Sequence, residues 1–135
     1  MAEEQLSFII ADLTRFTAKE TLGLALDIQA NLQEDTPRDT GWARANWVMS
    51  TGAALEDDKV ARTTDPTPAQ VAQAAARQTQ SLDDVLGYDL ARGAIFTTNN
   101  VPYIGRLNEG HSQQAGSAFI QRSVGRALME REGAR

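Results

Sequence analysis

Leu6, Ile9, Ile10, Leu13 and Phe16 recur at steps of three and four residues, and Leu24, Ile28 and Leu32 resume the rhythm. Residues 4–34 therefore read as one long amphipathic helix. At about 1.5 Å per residue such a helix is about 45 Å long, more than a globule of this size wraps easily, so part of it is expected to pack against another copy of the chain. Gly23 is its weak point, because glycine costs helix stability. Glu34-Asp35-Thr36-Pro37 ends it, since the residue before a proline is pushed out of helical geometry.

The rest of the chain has to complete a fold around that helix with 135 residues in all, enough for one domain and too few for a barrel enzyme. There is no cysteine, so disulfide and thiolate chemistry are excluded. The start Met1-Ala2-Glu3-Glu4 is acidic where a secretory signal is basic, and no stretch approaches the roughly 18 apolar residues of a membrane span. The expectation is a soluble protein that folds in a reducing compartment and does not engage a membrane.

Beyond the first helix, residues 36–41 (Thr36-Pro37-Arg38-Asp39-Thr40-Gly41) form a turn, and Trp42–Thr51, with Trp47, Val48 and Met49 at its centre, alternates as a strand. Residues 52–68 are polar and rich in Thr, Asp and Pro, and are expected as a long mobile loop with a short strand at 59–63. Thr67 and Pro68 open an Ala-rich helix over 69–80, expected as a surface or interface element, and 81–87 adds a further helical turn or two. Ala94–Thr98 is the clearest strand, and Gly116-Ser117 leads into a final amphipathic helix bearing Phe119, Ile120, Val124, Ala127 and Leu128. The expected architecture is α+β: a long N-terminal and a C-terminal helix packed on a small antiparallel sheet, in a single domain over 1–135 with a mobile loop at about 52–68. So small a sheet leaves edges that pair with something.

Charge narrows the partners. The net charge is −5 with a pI of about 4.8, which argues against neutralising a duplex. Residues 92–135 hold six Arg and three Glu, a local +3, whereas 1–91 hold seven basic and fifteen acidic residues. Opposite signs on one molecule suit head-to-tail self-contact. Arg exceeds Lys eleven to two, as interface pairs favour.

Reactive constellations are weak. Asp39-Thr40-Gly41 matches the triplet that retroviral-type aspartic proteases use twice in a homodimer, but it follows a solvated turn beside Arg38, whereas the protease triplet ends an apolar strand. The structural reading is an Asx-type turn in which Asp39 caps backbone amides and Gly41 supplies a positive φ. His111 is the sole histidine and, without cysteine, builds no zinc site; Ser112 beside it has no Gly-x-Ser-x-Gly elbow. Gly105 and Gly110 lack a phosphate-loop context, and Asp57-Asp58 and Asp83-Asp84 lack calcium-loop spacing and read as solvated charges or helix starts. No metal or cofactor is implied. The segment 96–114 is more informative: a strand ends at Thr98, Asn99-Asn100 turn it, Pro102 fixes the exit, Tyr103 and Leu107 share a helical turn, and Gly110 caps that turn. It reads as a rigid, amide-rich corner presenting Tyr103 and Arg106.

These residues resemble the neck or tail-completion proteins of long-tailed bacteriophages, the minor tail protein Z-like and head-tail joining group. Members start with a long helix and carry Thr-Pro-x-Asp-Thr-Gly before a Trp-bearing strand, matched by Thr36 to Gly41 and Trp47. Near the C-terminus they carry Thr-Asn-Asn-x-Pro-Tyr and Leu-Glu-x-Gly-His-Ser-x-Gln-Ala, matched by Thr98 to Tyr103 and Leu107 to Ala115. Asn108, where Glu is common, and Gly116, where Pro often follows, depart from the pattern. The resemblance implies a non-catalytic virion protein, assembled in the host bacterial cytoplasm, that forms a ring of six at the head-tail joint. Its partners are then further copies of itself, the head connector or stopper, and tail terminator or tail-tube proteins, with DNA only as cargo through an acidic lumen. A tail terminator capping the tube is the neighbouring alternative. The dimeric protease and a DNA-binding accessory using the Arg-rich C-terminal segment are alternatives of other classes.

Overall fold

The computed structural model describes residues 2–38, 41–56, 58–110 and 117–133. The fold is α+β, as expected: long N- and C-terminal helices with a two-stranded antiparallel sheet.

Helix α1 spans Ala2–Asp35, 34 residues, and runs through Gly23 without interruption. A Cβ there would meet the Arg131 guanidinium, which lies across the helix at this point. At the other end, Thr36 N–H still donates to the Leu32 carbonyl (3.0 Å) before Pro37 stops the ladder. α1 lacks a basic residue in its own last turn; instead Arg44 reaches back from the next element to the Gln33 and Glu34 carbonyls, placing a cation where the helix dipole favours one.

The expected strand over Trp42–Thr51 is corrected. Its first part is a helical turn, α2 (Trp42–Ala45), and only Val48–Thr51 forms strand β1. Gly41, at φ +72°, redirects the chain, and the Ala45 N–H then closes a helical turn onto the Gly41 carbonyl (3.0 Å). Trp42, Ala43 and Ala45 are all buried, a one-sided cluster that an alternating strand would have split between two faces.

β1 pairs antiparallel with β2 (Ile95–Thr98), in the register Val48↔Thr98 to Thr51↔Ile95. No third strand forms at 59–63. A tight turn stands there, with the Asp58 carboxylate accepting from the Val60 and Ala61 N–H groups. The segment 52–68 is anchored to the body at its centre: Ala61 is fully buried and its carbonyl accepts the Trp42 indole N–H at 3.2 Å.

Helix α3 (Pro68–Val85) joins the two helical stretches expected over 69–87 and begins with a Thr67/Gln70 capping box and Pro68. It lies at the surface with one face turned inward. Ala74, Ser81 and Val85 are buried against α2 and β1. Its small side chains allow a close approach, and Ser81 Oγ accepts the Met49 N–H at 3.1 Å, covering the outer edge of β1.

After a 3₁₀ turn (Leu90–Arg92), β2 leads into the short α4 (Ile104–Asn108), and α5 (Phe119–Gly133) packs antiparallel along the second half of α1. Asn31 donates to the Ser123 carbonyl (3.1 Å), the Ser123 hydroxyl donates to Asp35 (2.6 Å), and Arg126 and Arg131 pair with Asp35 and Asp27. Two apolar clusters result. One centres on Trp42, Ala61, Ala74 and Val101, the other on Leu32, Trp47 and Phe119, and Ile104 and Leu107 of α4 touch both.

Candidate functional site

The two sequence motifs meet in space. In the first, the buried Thr36 hydroxyl accepts the Trp47 indole N–H (2.7 Å) and donates to the Leu32 carbonyl, with Pro37 buried beside it. Trp47 is held again through its carbonyl, which accepts from Gln29 Nε2 at 2.9 Å; Gln29, buried in α1, uses its other amide atom to accept from Thr97 of β2. One glutamine thereby ties helix to sheet.

From the second motif, Asn99 Nδ2 donates to the Ala43 carbonyl (2.8 Å) while its Oδ1 accepts the Val101 N–H (3.1 Å), and Asn100 Nδ2 donates to the Leu55 carbonyl (2.8 Å). These asparagines do more than turn the chain, since each pins a different distant segment. Tyr103 and Leu107 pack against the Trp42 cluster. The expectation that this corner presents Tyr103 is therefore corrected: Tyr103 is half-buried, and Arg106 and Pro102 are the exposed side chains. Gly110, at φ +95°, donates to the Leu107 carbonyl and closes α4, as its spacing indicated. Asp39, Thr40, His111 and Ser112 lie outside the described residues.

One buried charge pair was not legible. Asp58 pairs with Arg77 of α3 at 2.6 Å, and Arg77 also donates to Asn46 Oδ1 (3.1 Å). Burial pushes the Asp58 carboxyl up, but the Arg77 bond and charge, with the Ala61 and Val60 N–H groups, outweigh it and hold the carboxyl below its ordinary value. Asp58 is thus no solvated charge; Asp83 and Asp84 are exposed, as expected.

Among the described residues no three His, Asp or Glu side chains gather to hold a metal ion, and no helix is long and apolar enough to cross a membrane. A run of exposed apolar side chains lies on α1. Residues 2–17 are exposed without a break, and Leu6, Phe8, Ile9, Ile10, Leu13 and Phe16 are each between 55% and 73% accessible. The described residues of the two motifs thus act as an internal staple, and the longest run of exposed apolar side chains among the described residues is the bare half of α1. No protein-family model matches the chain, and searches of curated proteins and of solved structures find no match either.

Proposed function

We propose that this chain is a structural subunit of a long-tailed bacteriophage neck, a tail-completion protein that assembles as a ring of six at the head-tail joint and makes or breaks no bond. One observation carries the reading. The residues that resemble the family's two motifs fasten distant segments to one another, through Asn99 to Ala43, Asn100 to Leu55 and Trp47 to Thr36. Residues used in this way are architecture. A subunit so rigidly stapled, with an apolar helix half left bare, suits a protein completed by neighbours. The acidic net charge of −5 suits a lumen that DNA traverses without adhering.

Electron microscopy tests this directly. The purified protein, alone or mixed with head connectors, is expected to give closed rings of one diameter with six subunits, and tagged protein is expected to label the head-tail joint of assembled particles. A chain that forms no ring in either setting, and that hydrolyses casein until Asp39→Asn is introduced, would replace the neck reading with the dimeric protease.

A further inference from the structure

The bare stripe on α1 is the continuation of a face that the fold itself covers. Seven residues beyond Phe16 is Gly23 and fourteen beyond Leu13 is Asp27, and both lie under Arg131 of α5. Positions seven apart share a helix face, so one side of α1 is covered over its second half and open over its first. The change comes where α5 reaches Arg131 and Glu132, beside Glu20 and Leu24.

The open part has the spacing of a coiled-coil seam. Leu6, Ile9, Leu13 and Phe16 occupy successive a and d positions over two heptads, with Ile10 on the flank. We propose that this seam is occupied by the same segment of a second copy, the two helices lying antiparallel about a two-fold axis. Antiparallel layers match each a with a d, which sets Leu6 against the partner's Phe16 and Ile9 against the partner's Leu13, twice over, with Ile10 facing its own copy near the axis. The overlap ends where each body begins: in this register residue 2 reaches the level of Glu20. A parallel pair would crowd both bodies at one end and place two sets of Glu3 and Glu4 side by side.

The area is adequate. Five stripe residues, more than half exposed, offer roughly 100 Å² each, so a pair buries up to roughly 1,000 Å², the lower bound for a specific contact and the size of a reversible, concentration-dependent one. A two-fold contact is isologous and separate from the head-to-tail contacts that close a ring, so the inference stands independently of the neck assignment.

Analytical ultracentrifugation of the full chain is expected to show a concentration-dependent species of twice 14.7 kDa. Leu13→Asp should weaken that association at least 100-fold, with an unchanged circular dichroism spectrum, because Leu13 is already 59% exposed in the single chain. The chain has no cysteine, so orientation can be read by cross-linking. Mixing Ile9→Cys with Leu13→Cys should give the fastest short-range cross-link, whereas faster self-linking of each variant would mean parallel helices and overturn the proposal. So would a wild type that stays monomeric, including one that instead binds phosphatidylcholine vesicles, or a dimer indifferent to Leu13→Asp. Wild-type rings accompanied by no two-fold species would overturn this inference and leave the neck reading intact; a two-fold dimer with no ring would do the reverse.

Discussion

Asp58 and Arg77 show how a single charged pair can hold a loop that has no regular structure. Asp58 is only 8% exposed, and its loss would leave Arg77 with the neutral Asn46 as its one remaining named partner. Asp58→Asn is expected to cost about 2 kcal/mol at pH 7, measured by urea unfolding, because a partly buried cation loses its counter-charge. The sign with pH follows from the lowered carboxyl. The folded state binds the proton less readily than the unfolded one, so the stabilisation is complete above the ordinary aspartate pKa of about 3.9 and is lost as pH falls through the lower folded value. The gap between wild type and Asp58→Asn should therefore close on acidification below about pH 4. Gly23 provides a second test. Alanine there gains helix propensity but strikes the mobile end of Arg131, so Gly23→Ala should be nearly neutral alone and stabilise by about 1 kcal/mol in an Arg131→Ala background, a coupling that a double-mutant cycle reads out.

Among the elements, α4 and the chain leading into it carry the most structural responsibility for their size. Asn99 and Asn100 anchor two segments far away in sequence, and Leu107 contacts both apolar clusters. Asn99→Ala removes a bond to the Ala43 carbonyl and another from the Val101 N–H, and is expected to cost about 2 kcal/mol in thermal or urea unfolding, since both groups are partly buried. Asn99→Asp should fail to rescue, because a carboxylate cannot donate to the carbonyl. α3 illustrates a different device. Its Ser81 supplies the acceptor that β1 would otherwise seek from another strand, so Ser81→Ala should cost about 1 kcal/mol and expose a β-edge to aggregation, visible as light scattering on mild heating.

At the scale of the molecule, one half of α1 belongs to the body and the other half lies outside it, and the charge is divided between an acidic first two-thirds and a basic remainder. If ring contacts join these opposite regions, 1 M salt should shift the ring population toward smaller species in light scattering, whereas the apolar α1 seam should hold or tighten. What was readable without coordinates was whatever depends on near neighbours along the chain. The helices at both ends, the Thr67–Pro68 start of α3, the positive φ of Gly41 and the strand at Ile95–Thr98 all follow from spacing and local sterics. The local signal at Trp42–Ala45 was ambiguous, because a short apolar run fits strand and helical turn alike, and the choice fell to the cluster formed by Ala61, Ala74 and Val101 from three distant segments. The same holds for the Asp58–Arg77 pair, the edge-covering Ser81 and the inward turn of Tyr103. Each is an encounter between residues far apart in sequence, whose energy exists only once the chain has closed on itself, so no periodicity along the chain could announce it.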